Sequence, residues 1–154
     1  MEKILKGIGI IIGVFIFLAL LGATFGLDGS AVSDISYLGH WKNIDPYTGS
    51  ITTIDISKNG TGFAIHPWGK CRPDDCDLGE MSAHKYGSSV SSDTSNTTEA
   101  LIAIFNPGFA EVMMNLRLDN INRLYVGTYT RSTDNRDQSD FMMGEIFERV
   151  FPNI

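Results

Sequence analysis

Cys71 and Cys76 are the only cysteines in a chain of 154 residues, and His66 and His84 flank them. Two chemistries suit that group. In an oxidising compartment, an even pair of cysteines reads first as a disulfide. Arg72-Pro73-Asp74-Asp75 would then form a short pinned loop. The alternative is zinc, since two thiolates and two imidazoles make a tetrahedral ligand set. The spacing H-x4-C-x4-C-x7-H matches no standard finger, which favours the disulfide. A redox-active pair is disfavoured as well, because C-x4-C lacks the C-x-x-C geometry that lowers a thiol pKa.

Acidic residues form two further groups. Asp74, Asp75, Asp77 and Glu80 surround the cysteines, and Asp134, Asp137 and Asp140 lie later. Calcium takes such oxygen ligands, but its D-x-D-x-D-G register is absent, so both groups read as solvated loops. Nucleophilic catalysis needs a nucleophile, a base and an orienting group held together. The histidines are His40, His66 and His84 alone, and neither G-x-S-x-G nor H-E-x-x-H occurs. His66 alternates with Phe63 and Ile65 and so faces away from them. It reads as a structural histidine beside Trp68. No catalytic constellation and no cofactor site is expected.

The elements that must position these residues begin after a long apolar segment. Gly7 to Leu27 is an uncharged run of 21 residues, preceded by Lys3 and Lys6 and followed by no Lys or Arg until Lys42. As a helix it would measure about 31 Å, enough to cross a bilayer core. The lysines put its start in the cytoplasm and the remainder outside. A signal anchor over residues 1–27 is the first reading, and a cleaved signal peptide the alternative. Residues 28–36 are small and polar and read as a tether. Residues 37–154 are one domain's worth of chain.

Charge narrows the partners. Glu2, Lys3 and Lys6 precede the tether. Residues 28–154 therefore carry 17 of the 18 acidic and 10 of the 12 basic side chains, net −7. Phosphate-backbone binding needs Lys and Arg, so no nucleic-acid partner is expected. The membrane, a small apolar ligand or an envelope protein are the expected partners.

Alternation dominates beyond the tether. Eight strands are expected, near 38–44, 50–58, 61–68, 78–86, 98–105, 109–118, 122–131 and 140–150. Turn residues such as Lys58-Asn59-Gly60 and Asp119-Asn120 separate them. Short links make sequence neighbours pair as antiparallel hairpins. Eight strands in a meander close into a small barrel and remove the exposed edges. A two-sheet sandwich is the competing arrangement. Phe63, Ile65, Val112, Met114, Leu124, Val126, Phe141 and Met143 fall on the inward register and are the expected ligand-lining residues. Glu145 and Arg149 share the face of Phe147, and if inward they need polar partners.

Gly39-His40-Trp41 opens the first strand, and Arg149 lies near the end of the last. This resembles the calycin pattern shared by lipocalins, fatty-acid-binding proteins and avidins. In that pattern a Gly-x-Trp packs its indole near an arginine of the final strand, sealing one barrel end. The resemblance implies Trp41 and Arg149 as the sealing pair. A second likeness is more local. Trp41-Lys42-Asn43-Ile44-Asp45, Gly49-Ser50-Ile51-Thr52 and His66-Pro67-Trp68-Gly69-Lys70-Cys71-Arg72-Pro73-Asp74-Asp75-Cys76-Asp77-Leu78-Gly79 are similar to a bacterial extracytoplasmic β-domain. Its pattern is W-x-N-x-D…G-I-T…H-x-W-G-x-C-x-P-x-D-C-x-x-G. Ser50, between Gly49 and Ile51, departs from it, as does Leu78 where an aromatic is common. That family has no established biochemical role, so the likeness bears on fold.

The expectation is an all-β, lipocalin-like barrel of eight strands behind a membrane helix. It would bind a small, largely apolar ligand or an envelope component. The alternative is a solid-core interaction module that works through the surface of the Cys71–Cys76 loop.

Overall fold

The computed structural model describes residues 32–106, 108, 110–133 and 139–151. The expected anchor lies outside them. Among the described residues no helix is long and apolar enough to cross a membrane.

The strands are β1 (Val32–Ser33), β2 (Gly39–Asn43), β3 (Ile51–Asn59), β4 (Gly62–Gly69), β5 (Cys76–Asp77) and β6 (Met81–Tyr86). They continue with β7 (Thr97–Thr98), β8 (Ala100–Phe105), β9 (Ala110–Leu118), β10 (Leu124–Ser132) and β11 (Phe141–Val150). Eight of them, β2, β3, β4, β6, β8, β9, β10 and β11, pair antiparallel in chain order, and β11 returns to β2. The domain is thus a closed meander barrel, not a sandwich. The two-residue strand β5 lies against the end of β4, and β1 pairs with β7 outside the ring.

Local chemistry explains the path. Gly60 takes the left-handed conformation (φ 58°) that turns β3 into β4. Between β9 and β10, the Asp119 carboxylate accepts hydrogen bonds from the amides of Ile121 and Arg123. Period-two alternation sends one side chain of each pair inward. A bulge between Ile51 and Thr53 shifts that parity, so Ile51 and Ile54 are both buried.

The interior is packed solid over most of its length. Phe63, Ile65, Met114, Leu116, Leu124, Val126 and Phe147 are fully buried there. Each contributes about 1.5–3 kcal/mol by leaving water.

One end of the barrel is plugged. A single 3-10 turn, Asp34–Tyr37, lies across it. The Tyr37 ring meets Phe63 edge-on at 6.1 Å, and its hydroxyl donates to the Glu99 carbonyl at 3.0 Å. Burial pushes that hydroxyl's pKa up to about 12. Trp41 Nε1 donates to the Tyr37 carbonyl at 2.9 Å. The Arg149 guanidinium stands 4.7 Å from the Trp41 ring centroid and donates to the Ser36 carbonyl.

Residues 32–36, expected within the tether, are therefore part of the folded body. The reason is Asp34. It is 5% exposed and accepts hydrogen bonds from Lys58 at 2.6 Å, Lys85 at 3.0 Å and Thr98 at 2.9 Å. Burial alone would raise its carboxyl pKa. The hydrogen bonds from Lys58, Lys85 and Thr98, with the Lys58 charge, outweigh burial and hold it below the usual value.

A carboxyl pKa depressed by folding stabilises the native state above the unfolded-state value of about 3.9. That contribution is lost as pH falls through the native value. Asp34→Asn is expected to cost about 2–3 kcal/mol at neutral pH. It should also make the stability profile flatter below about pH 4. Urea melts of both proteins at stepped pH check this. Parallel profiles would show that Asp34 does not carry the acid sensitivity.

Candidate functional site

The other end of the barrel is open. The described residues of four connections surround it: 44–50, 70–80, 106 with 108, and 133 with 139–140. Within this mouth lies a cleft of about 550 Å³. That volume lies in the range of small-molecule sites. Its walls are mostly apolar. Ile51, Gly69 and Leu78 form one side, Phe105, Ala110 and Val112 another, and Phe141 and Met143 a third. Thr128 and Thr130 of β10 add hydroxyls.

The sequence folds here for identifiable reasons. Gly69 ends β4 without a side chain, and a Cβ there would come within 3.3 Å of Leu78 Cδ1. That close approach seats Leu78 on the rim. Cys71 and Cys76 are joined by a disulfide with Cα atoms 5.5 Å apart. Both line the cleft. The Lys70 amide donates to the Ser50 carbonyl at 2.7 Å, and Lys70 Nζ to Asp75 at 3.1 Å. The disulfide closes so few residues that its entropic contribution is about 2 kcal/mol. What it adds is a fixed wall.

The expected ligand-lining residues divide by height. Val112, Phe141 and Met143 line the cleft, the last two being 53% and 36% exposed. Phe63, Ile65, Met114, Leu124 and Val126 lie in the packed half below and do not line it. Of the eight expected lining residues, these five fill the lumen and the other three line the cleft. An eight-stranded barrel is narrow enough for its own side chains to fill, and one phenyl group from Phe63 and another from Phe147 do so. Thr128, Leu78, Phe105 and Ala110 were not singled out from the sequence. The inward register of Leu124 and Val126, continued by two residues, reaches Thr128. Nothing in the sequence signals Phe105.

The zinc alternative fails on geometry. The sulfurs of Cys71 and Cys76 are bonded to each other. His66 lies on the outer wall, stacked on Trp68 at 4.1 Å and hydrogen-bonded through Nε2 to Asp77 at 2.5 Å. His84 is on β6, opposite Ile102 of β8. Among the described residues no three His, Cys, Asp or Glu side chains are arranged to hold a metal. The acidic loop is already engaged. Asp77 takes the Gly79 amide and His66, and Asp75 takes Thr52 and Lys70, which lowers both carboxyl pKa values.

Polar groups lie at the base of the mouth. Asn43 is buried and donates through Nδ2 to the Ile51 carbonyl and to Glu145 Oε1, each at 2.8 Å. Thr48 Oγ1 donates to the same Glu145 oxygen at 2.8 Å. Glu145 Oε1 is thus held by Asn43 and Thr48 and not by Arg149, whose guanidinium is at the plugged end.

The outer wall carries two other features. His40 bonds Asp55 at 2.5 Å, and Asp55 pairs in register with His66, so a His-Asp-His-Asp row crosses β2 to β5. Ile104, Met113, Tyr129 and Met142 form an apolar row across β8 to β11, above a shallow groove of about 460 Å³.

No protein-family profile matches the chain, and no curated protein or solved structure matches it significantly.

The filled lower barrel makes a direct prediction. Met114→Trp is expected to destabilise the fold by about 1–3 kcal/mol through overpacking. It should leave the cleft residues in place. Denaturant melts measure the first, and the spectrum of labelled Met143 the second. An unchanged melting midpoint would show room around Met114 that the packing denies.

Proposed function

We propose that this barrel captures a small, largely apolar molecule in its open mouth, outside the membrane that the N-terminal run anchors it to. One observation carries the reading. Above the packed lower half of the barrel, an open cleft of about 550 Å³ has mostly apolar walls. Sites for small ligands are concave and apolar with few polar groups. A disulfide-braced rim keeps such a site formed before the ligand arrives, which lowers the ordering cost of binding. The disulfide also accords with an oxidising compartment. The calycin likeness accords with the plugged end, where Trp41 and Arg149 meet.

The chain's path supports a consistent orientation. Residue 32 enters at the plugged end, beside Thr98. An anchor ahead of it would hold that end toward the bilayer and turn the mouth away.

Native mass spectrometry of protein purified without reductant tests the binding. A copurified small molecule is expected, together with a gain in melting temperature on loading. Phe141→Ala removes an exposed wall of the cleft and is expected to weaken uptake roughly ten- to a hundredfold. Equal uptake by the variant, or no uptake of any apolar probe, would move the working surface to the outside of the Cys71–Cys76 loop. The barrel would then be an interaction module.

Fractionation tests the anchor. Full-length protein is expected to sediment with membranes and to resist extraction by high salt. Uncleaved protein in the soluble fraction would overturn that placement.

A further inference from the structure

Three buried side-chain polar atoms among the described residues have no hydrogen-bond partner. One, Asn115 Oδ1, is on the outward register of β9, opposite Ile102 and Gly127. The other two are Thr128 Oγ1, on a residue that lines the cleft, and Glu145 Oε2, on a residue that does not line it but adjoins it along β11. Thr128 is 7% exposed and lines the cleft. Glu145 follows Met143 by one inward step on β11, and Met143 lines the cleft directly opposite Thr128. Diagonal neighbours on one face of paired strands lie about 7–8 Å apart. Gly49 and Ser50, next to the Thr48 that binds Glu145, line the cleft too.

The pair has a definite chemical sense. A buried oxygen without a donor costs free energy that a donor would recover. Glu145 Oε1 is held by Asn43 and Thr48, which aim the carboxylate and leave Oε2 to spare. No described ion pair involves Glu145, and Lys70, the cation that lines the cleft, is bonded to Asp75. Oε2 accepts only, if ionised, and the Thr128 hydroxyl can accept. A head group bearing two or more N–H donors and a positive charge satisfies both. A carboxylate head would instead bring like charge into an apolar site.

We propose that the ligand is an amphiphile with a protonated amine head and an apolar tail. Its head enters first and donates to Glu145 Oε2 and Thr128 Oγ1. The tail lies outward against Phe141, Met143 and Leu78. This rests on the cleft being the binding site, and adds the class of molecule it selects.

Three probes with one tail separate the two ideas: octylammonium, octanol and octanoate. Each is titrated into full-length protein in zwitterionic nanodiscs, with methionine methyl groups labelled for NMR. Met143 faces the cleft, while its neighbour Met142 is on the outer wall and controls for partitioning into lipid. Octylammonium is expected to shift the Met143 methyl and to bind roughly tenfold or more tighter than either other probe. Glu145→Gln should erase the preference of octylammonium over octanol. Thr128→Val should reduce it, and decides the matter should the Gln variant not fold. Equal affinities, or octanoate binding tightest, would overturn the head-group assignment and leave the apolar cleft standing. Unchanged octylammonium affinity in Thr128→Val would overturn the assignment also. No shift of Met143 with any probe would overturn both.

Discussion

The pairing of the first barrel strand with the last is the constraint on which the structure depends. Arg149 stands opposite Trp41 in that ladder, so one register joins the edges of the sheet and delivers a cation to an indole. Closure alone removes the free edges that make isolated sheets prone to association. Here it also fixes which end is plugged. The guanidinium reaches past the ring to the Ser36 carbonyl, and the indole N–H reaches the Tyr37 carbonyl. Those two bonds hold the 3-10 turn across the barrel. The cation–π contact is worth about 0.5–2 kcal/mol, small beside the burial of Trp41 and Tyr37. Its importance is geometric, since a barrel closed one register away would present neither partner.

A sealed end and a filled interior leave function to the opposite mouth. The polar and apolar groups there are layered by strand position. Phe141 and Met143 form the rim and Glu145 the base, on successive inward steps of a single strand. Below them Phe147 begins the packed interior. The disulfide loop completes the wall from the other side. It is short, and its Lys70–Asp75 ion pair is exposed, so it adds little to global stability. The rim is thereby stiffened without committing the rest of the barrel.

Most of the fold was legible because alternation is a strong signal where one face is buried. The eight strand positions follow from Ile54 and Ile56, Phe63 and Ile65, Val112 to Leu118, and the turns between them. The Gly-x-Trp and the distant arginine were legible as a pair only through resemblance, because no local pattern links residues so far apart. Two things escaped. Residues 32–36 looked like linker, since Asp34 and its serine neighbours are polar. Their burial depends on Lys58 and Lys85 arriving from β3 and β6, which composition does not encode. The height of the cleft escaped as well. Alternation tells which residues point inward but not how far along the axis the large ones fill the space. Val112 and Met114 are equivalent in pattern, yet one lines the cleft and the other is sealed beneath it.

The salt-bridged aspartate beside the point of chain entry has a mechanical consequence. Any tension transmitted along residues before Val32 reaches Asp34 before it reaches Ser36 or Tyr37. The two-residue ladder of β1 with β7, the Asp34 amide's bond to the Asn96 carbonyl, and the two lysines would bear that load first. They connect the incoming strand to β3, β6 and the segment before β7, so such a force would be shared among strands at the first residue of the plug. Asp34 acts as a strain relief, like the clamp on a cable. It stands between Val32 and the Trp41–Arg149 closure, so a pull on the chain at Val32 would meet it before it met that closure.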